Sequence, residues 1–196
     1  MSKPEFDMAY LMNLAEEMSK NNMVPYEDLP KYDLFLSQVI DYLNDKFTED
    51  KYTNNIVQNY IKSEIISKPE DGKKRGYTKL HLAQLVLLSY MRPVLTSEEI
   101  RKVFRLAFNE INNREDDIIS WEDAYKIFSE IHMDSFKDFS SNPFFNEKKL
   151  NDIASKLNLK GRDHERIMLF LTVMSLISQA SVIKKMVQRL VSEYNE

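Results

Sequence analysis

The sequence contains no cysteine, three glycines and six prolines among its 196 residues. The absence of cysteine excludes disulfides, thiolate metal sites and cysteine-based redox sensing. Turn residues and alternating β-branched residues are scarce, so the composition predicts a nearly all-α fold. The length is enough for one substantial core or two small ones.

Catalytic, metal-binding and targeting motifs are also missing. His81, His132 and His164 are far apart and lack the spacing of a zinc motif. Residues 115–117 are acidic but lack the glycine and spacing of a calcium loop, and no nucleophile elbow or phosphate-binding loop occurs. We therefore expect no enzyme activity and no cofactor or metal. The start, MSKPEFDMAY, has no basic region followed by an apolar run, so a cytoplasmic location is expected.

Charge is unevenly distributed along the chain. Residues 51–105 hold eleven Lys or Arg against five Asp or Glu, a local net charge of +6, although the whole chain has a net charge of −4. The remaining residues therefore carry a net charge of −10. A basic segment within an acidic chain would attract an anionic partner locally. The alternative is a solvated helical surface with uneven charge.

Helical spacing recurs from the beginning of the chain to Phe108. An apolar stripe over residues 4–20 is formed by Met8, Leu11, Met12, Ala15 and Met18. A second amphipathic helix is predicted from Leu34 to Phe47, and a third from Thr53 to about Ser63. Thr78 is expected to cap an apolar helix that ends before Pro93 and lies at the centre of a core. Thr96 and Glu99 have the spacing of a capping box for the next helix.

The last third of the chain is also predicted to be helical. A helix starting after Ser120, a short helix from about Asn146 to Leu157 and a long helix from Asp163 to about Glu193 are expected. The aromatic residues Phe136, Phe139, Phe144 and Phe145 could line a small-molecule pocket or simply pack a connection onto the bundle.

An uncharged run of seventeen residues lies within the final helix, from Ile167 to Ile183. A membrane-spanning helix needs about 20 mainly apolar residues, and this run includes five Ser, Thr or Gln. We therefore expect no membrane partner. A helix this apolar needs a deep core or a symmetric partner, and we expect a homodimer.

The third helix is the candidate reader of a nucleic acid. Burial of Ile56, Val57, Tyr60 and Ile61 would leave five polar side chains on or near its outer face, namely Asn54, Asn55, Gln58, Asn59 and Lys62. Asn and Gln can form paired hydrogen bonds with an adenine edge in the major groove. Asparagine-rich helices are also often merely exposed, so both interpretations stay open.

A basic turn, KPEDGKKRG, follows this helix. Its glycines permit a tight loop, and Lys73, Lys74 and Arg75 at the tip would reach phosphates beside the groove. The alternative is a solvated basic loop.

The run NYIKSEIISKPEDGKKRGYTKLHLAQLVLLSYMRPVLTSEEIRKVF resembles a MerR-type winged helix-turn-helix in the order of its elements. It is more closely similar to the bacterial domain-of-unknown-function family 1836, which includes YkrK-like proteins and is expected to be MerR-like and DNA-binding. The resemblance covers residues 29–104, and the ordered combination is more specific than any single motif.

The resemblance implies roles for individual residues. Gln58 falls where MerR-type helices often have an arginine facing DNA, and Tyr60 falls where an aromatic meets the sugar-phosphate backbone, although a core role for Tyr60 is the alternative. Ile65 and Ile66 match an aliphatic pair beneath the wing. Glu64 replaces the usual glycine, so we expect the helix to end without a left-handed cap. The connection between Phe47 and Thr53 is also longer than in a compact helix-turn-helix.

Together these features predict an all-α helical bundle that contains a MerR-like winged helix-turn-helix with a small β-hairpin wing and a C-terminal helical extension. The expected domains are residues 1–28, an N-terminal helix packing on the core; 29–112, the winged helix; and 113–196, a dimerisation or sensing region. The expected function is a dimeric, repressor-like transcriptional regulator that binds double-stranded DNA. The alternative is a protein-interaction module that keeps the scaffold without binding DNA. The expected DNA-contacting residues are Asn55, Gln58, Asn59, Tyr60, Lys62, Lys73, Lys74 and Arg75.

Overall fold

The computed structural model describes residue 13 and residues 23–48, 50–69, 76–141, 147–156 and 161–193. These residues form a 3-10 turn at Tyr26–Asp28 and seven α-helices, which confirms the expected all-α class. The helices are α1 (Leu36–Lys46), α2 (Asn54–Lys62), α3 (Lys79–Met91), α4 (Ser97–Arg105), α5 (Trp121–Ser141), α6 (Glu147–Lys156) and α7 (Arg162–Glu193). The predicted N-terminal helix lies outside the described residues, apart from Asn13.

The expected β-hairpin wing is not seen in the part of the chain that the structure describes. The β-structure there is an isolated antiparallel bridge between Leu34 and Tyr77. Residues 67 and 68 instead have their backbone groups bonded to side chains of Gln84, Asn112 and His81, so these groups are not available for pairing with a second strand. Residues 70–75, where the wing would turn, lie outside the described residues.

The chain divides into two compact units. The first comprises Val24–Ser129 with Val187–Glu196, and the second comprises Met1–Met23 with Glu130–Met186. Helices α5 and α7 each contribute residues to both units.

Helix α3 forms the centre of the first unit, as its apolar sequence predicted. Leu82, Ala83, Leu85 and Leu88 are completely buried. Helix α1 packs against both α2 and α3, and it buries Val39 and Leu43 on its inner side. Helix α2, which carries the polar residues, therefore packs against a helix that is itself packed on α3.

Two local features complete this unit. The predicted capping box starts α4, because the Thr96 hydroxyl accepts the Glu99 N–H at 3.3 Å and a Glu99 carboxylate oxygen accepts the Thr96 N–H at 2.7 Å. Phe108 stacks on Trp121 with a ring-centroid separation of 3.5 Å. This stack joins the segment after α4 to the first turn of α5.

In the second unit, the boundaries of α6 and α7 agree with the sequence prediction to within a residue. Helix α5 continues to Ser141 and so includes the predicted aromatic positions Phe136 and Phe139, whereas Phe144 and Phe145 lie outside the described residues. Within the described residues, the segment Asp163–Glu193 is the one helix long and apolar enough to cross a membrane by length and composition, and 6% of its most apolar window is buried.

Candidate nucleic-acid interface

Helix α2 is amphipathic and is capped at its first turn. The Thr53 hydroxyl accepts the Ile56 N–H at 3.3 Å, which satisfies one of the free N–H groups at the helix start. Val57 and Ile61, four residues apart on one face, are buried. The exposed polar residues of the helix are Asn54, Asn55, Asn59 and Lys62.

Two of the predicted DNA-contacting residues are less accessible than these. Gln58 is half-buried, and its Nε2 donates a hydrogen bond to the Tyr77 hydroxyl at 3.4 Å. Tyr60 is also half-buried, and so is Ile56, which was predicted to belong to the core. The structure thus brings Asn55, Asn59 and Lys62 together on the open face, whereas Gln58 connects the helix to the end of the basic loop.

Helix α2 ends in a left-handed residue although that residue is a glutamate. Glu64 has a φ angle of +56°, which corrects the expectation that a glutamate would prevent such a cap. Its N–H donates to the Ile61 carbonyl at 3.1 Å, and the Ile65 N–H donates to the Tyr60 carbonyl at 2.9 Å. These two bonds are those of a Schellman cap. They hold Glu64 in a conformation that costs about 1–2 kcal/mol for a residue with a Cβ.

The Schellman cap directs the chain into the core before the basic loop begins. Ile65 and Ile66, predicted to lie beneath the wing, are 1% and 0% exposed. Ser67 follows, and its N–H and hydroxyl both donate to Oε1 of the fully buried Gln84, at 3.0 and 2.8 Å. The entry to the loop is therefore bonded to the central helix α3.

Lys68 is held at both of its backbone groups while its side chain is exposed. Its N–H donates to Oδ1 of Asn112 at 2.9 Å, and its carbonyl oxygen lies 3.1 Å from Nε2 of His81. The positions of the Lys68 backbone and of helix α3 are therefore directly linked.

His81 connects the two ends of the loop. Its Nδ1 accepts the Thr78 N–H at 3.0 Å. Because a backbone amide can only donate, Nδ1 must be unprotonated, so in the neutral ring Nε2 carries the hydrogen that binds the Lys68 carbonyl. One buried imidazole thus bonds to the chain before residues 70–75 and to the chain after them.

The exit of the loop is fixed by Leu34. The Leu34 N–H donates to the Tyr77 carbonyl at 2.8 Å, and the Tyr77 N–H donates to the Leu34 carbonyl at 3.2 Å. Both ends of the basic loop are therefore attached to the helical unit. The three predicted phosphate contacts themselves, Lys73, Lys74 and Arg75, lie outside the described residues.

The long connection between α1 and α2 is closed by a side-chain amide. Oδ1 of Asn44 accepts the Tyr52 N–H at 2.6 Å, and Nδ2 donates to the Tyr52 carbonyl at 3.0 Å. Arg92 adds a hydrogen bond from Nη1 to the Asp50 carbonyl at 3.0 Å. The length of this connection therefore does not leave the start of α2 unsupported.

Tyr52 anchors the same corner to α3. Its hydroxyl lies 2.8 Å from Oγ of Ser89 and 3.2 Å from the Leu85 carbonyl, and the side chain is almost fully buried. Burial raises the pKa of Tyr52 to about 12, because the phenolate would lose its hydration. The hydroxyl is therefore a neutral structural group at physiological pH.

Exposed charge around α2 is mainly positive. Lys51 precedes the helix, Lys62 ends it and Lys68 begins the loop, and all three are exposed. The exposed carboxylate of Asp50 precedes Lys51, and that of Glu64 lies between Lys62 and Lys68 in sequence. The surface therefore has a small net positive charge, which would attract anionic groups such as phosphates.

A metal ion or a small molecule would need a group of ligands or a cavity near this surface. No group of three or more His, Asp or Glu residues within the described ranges is arranged to hold a metal ion. A cavity of about 260 Å³ lies beside the end of α2, and its lining includes Glu64, Arg101, Phe104, Arg105 and Asn112. Its two arginines and two glutamates, Glu64 and Glu110, balance in charge, so the lining does not single out one ligand class.

Three residues whose side chains bond the ends of the basic loop were not predicted from the sequence to do so: His81, Gln84 and Asn112. His81 had one local signal, because Thr78 and His81 have the spacing of an N-cap residue and its capping partner. Asn112 had none, since its bond to Lys68 joins residues 44 positions apart.

Comparison with known proteins places these residues in a family. The family model described as "Domain of unknown function (DUF1836)" matches residues 24–128, which cover the same region as the first compact unit up to Ser129. A curated relative, "Uncharacterized protein YkrK" of Bacillus subtilis (strain 168), is 27% identical over 161 residues. That match covers 74% of this chain and 65% of the relative. No solved structure matches the chain significantly.

Proposed function

The chain belongs to the DUF1836 family, and we propose that it binds double-stranded DNA through the open face of α2 and the basic loop at residues 68–78. The observation that carries the proposal is the combination of two neighbouring features. One is the exposed face of α2 with its asparagines and lysine, and the other is the basic loop, whose two ends are bonded to the helical unit. The Gln58–Tyr77 hydrogen bond of 3.4 Å joins the helix to the end of that loop. In this proposal Tyr60 lies at the edge of the surface, beside the sugar-phosphate backbone, and the unit acts as a MerR-like transcriptional regulator.

The anchoring of the loop supports a binding role because a loop whose two ends are already fixed has less conformational freedom to lose on binding. A free chain loses conformational entropy when it docks, and that loss reduces affinity. Here Ser67, Lys68, Tyr77 and Thr78 have backbone groups bonded to the helical unit before any partner arrives. The chain between them carries Lys73, Lys74 and Arg75 within a short span.

The spacing of the exposed amides suggests how bases would be read. Asn55 and Asn59 are one helical turn apart, a rise of about 6 Å. This rise is close to two base-pair steps of about 3.4 Å each. Because asparagine pairs best with adenine in the major groove, we expect adenines about two base pairs apart in the preferred site.

Selection of bound duplexes from a random-sequence pool tests the proposal. We expect enrichment of a motif with adenines at that spacing. The double variant Asn55→Ala/Asn59→Ala should bind the selected duplex about 10-fold or more weakly, since a good paired contact contributes about 1–3 kcal/mol. The control Asn151→Ala removes an amide from α6 and should leave affinity unchanged.

Two outcomes would count against this function. If the protein retains no duplex from the pool, DNA binding is wrong and the protein-interaction alternative is favoured. If the double variant Asn55→Ala/Asn59→Ala and the control Asn151→Ala bind equally, α2 is not the base-reading element.

A further inference from the structure

Tyr77 is held at the end of the basic loop by both its backbone and its ring. Its N–H and its carbonyl bond to Leu34, at 3.2 and 2.8 Å. Its ring lies edge-on to the ring of His81, with 5.5 Å between the two centroids. Tyr77 is also only 5% exposed. The hydroxyl of Tyr77 therefore has a fixed position in the helical unit.

This hydroxyl meets helix α2 through the side chain of Gln58. Nε2 of Gln58 donates to the hydroxyl oxygen at 3.4 Å. Burial raises the pKa of Tyr77, and the bond from Gln58 partly offsets that rise, so the hydroxyl is neutral at physiological pH and its oxygen can accept. The distance is at the long end for such a bond, so we expect the bond to orient the amide rather than to add much stability.

Gln58 occupies the flank of the open face of α2 that is nearest to the basic loop. At about 100° per residue, Gln58 lies about 60° around the helix from Asn55 and about 100° from Asn59, whereas Tyr60 lies on the opposite flank. The bond between Gln58 and Tyr77 places the loop end on the Gln58 side. A duplex seated on the open face would therefore meet Gln58 where the helix adjoins the loop.

The bond to Tyr77 also decides which atom of the Gln58 amide is available to a base. With Nε2 turned towards Tyr77, the remaining oxygen, Oε1, is a hydrogen-bond acceptor. In the major groove adenine has an amino donor at its 6-position, whereas guanine has a carbonyl acceptor there, and N7 is an acceptor in both. An amide that presents Oε1 therefore matches adenine and opposes guanine.

We propose that Tyr77 is a positioning residue, which orients the Gln58 amide so that it selects adenine over guanine at one base pair of the DNA site. Because Tyr77 is buried, it acts through Gln58 and does not touch the base itself. The inference rests on the proposed function, since it concerns the duplex that α2 would bind. It adds a base pair to those expected for Asn55 and Asn59, on the side of the site nearest to the basic loop.

A double-mutant cycle combined with base changes tests the inference. Duplex binding is measured for the natural protein, Gln58→Ala, Tyr77→Phe and the double variant, using the selected duplex and versions in which each adenine–thymine pair is replaced by guanine–cytosine. The Gln58 base pair is the one whose replacement no longer matters in Gln58→Ala.

At that base pair, the natural protein should prefer adenine over guanine by about 10-fold or more. Tyr77→Phe should reduce this preference by about 3- to 10-fold, the effect of losing one neutral hydrogen bond. In the Gln58→Ala background, Tyr77→Phe should have no further effect on base preference, because the side chain that it orients is already absent.

Tyr42→Phe is the matched control. Tyr42 is a half-buried tyrosine on α1, and its hydroxyl has no hydrogen-bond partner within the described part of the chain. This variant should keep the affinity and the base preference of the natural protein. In the protein without DNA, Tyr77→Phe should speed solvent exchange of the Gln58 side-chain amide hydrogens, measured by nuclear magnetic resonance, and Tyr42→Phe should not.

The possible outcomes separate this inference from the proposed function. An equal loss of affinity for all duplexes in Tyr77→Phe, with base preference unchanged, would overturn the positioning role and leave DNA binding intact. The same conclusion follows from a preference for guanine, from unchanged exchange of the Gln58 amide hydrogens, or from a Gln58→Ala variant that remains sensitive to every base pair. If the natural protein binds no duplex, the proposed function and this inference are both wrong.

Discussion

Nε2 of His81 lies 3.1 Å from the carbonyl oxygen of Lys68, while Nδ1 of the same ring accepts the Thr78 N–H at 3.0 Å. One side chain on the central helix therefore connects the two ends of the basic loop. The loop and the core are coupled through this ring, so changes at His81 should affect both stability and loop anchoring.

His81→Ala should lower the free energy of unfolding by about 2–3 kcal/mol, because a buried ring is removed and two part-buried backbone groups lose their partner. Amide hydrogen exchange at Thr78 should accelerate in this variant, since its N–H no longer has an acceptor. His164→Ala, a half-exposed histidine on α7, is the control. Equal unfolding free energies for the two variants would mean that the His81 bonds do not hold the loop.

Glu64→Gly should raise the free energy of unfolding by about 1 kcal/mol. The φ angle of +56° is unfavourable for a residue with a Cβ and accessible to glycine. Glu64→Ala removes the same carboxylate and keeps the Cβ, so it should stay close to the natural protein. Urea denaturation measures the free energy of unfolding of the natural protein and of both variants. An equal increase in Glu64→Ala would mean that the lost charge, and not the backbone conformation, causes the effect.

Tyr52 should make stability fall at high pH. Its pKa rises from 10.0 in the unfolded chain to about 12 in the fold, because the buried phenol resists ionisation. The folded state therefore binds this proton more tightly, and the contribution is complete below pH 10 and lost as the pH rises from about 10 to about 12. The loss should approach about 3 kcal/mol.

Comparison with Tyr52→Phe isolates this contribution, because the fold contains other tyrosines whose pKa burial also raises, among them Tyr90. The phenylalanine variant should be less stable at neutral pH, since the bond to Ser89 is lost. The difference between the two proteins should shrink as the pH approaches 12. A stability difference between the natural protein and Tyr52→Phe that does not change with pH would contradict the raised pKa of Tyr52.

The sequence identified the described helices well because their signals are local. The apolar run after Thr78, the Thr96 and Glu99 pair and the uncharged segment after Ile167 each determine a helix through residues close in sequence. The structure confirms these helices to within a few residues at their ends.

The bonds that hold the two ends of the basic loop could not be predicted in the same way. Asn112 meets Lys68 across 44 positions, and Leu34 meets Tyr77 across 43, so folding of the whole unit brings them together. The left-handed backbone at Glu64 does not follow from residue preference, because it depends on bonds to neighbouring residues. The carbonyls of Tyr60 and Ile61 and the burial of Ile65 outweigh the cost of its left-handed backbone.

The proposed DNA interface depends most directly on the loop cations. The triple variant Lys73→Glu/Lys74→Glu/Arg75→Glu can be compared with Lys148→Glu/Lys149→Glu/Lys156→Glu on α6, which changes the net charge equally. Both should keep the helical circular dichroism of the natural protein. The two triple variants should therefore differ only in the contacts that the loop makes with DNA phosphates.

The decisive measurement is the salt dependence of duplex binding by fluorescence anisotropy for these three proteins. The natural protein and the α6 variant should bind with the same slope of log affinity against log salt. The loop variant should lose binding, and single reversals should each reduce the slope by about 1, as expected when one phosphate contact is lost. Absence of binding by the natural protein, or equal affinity and slope for the two triple variants, would contradict the account.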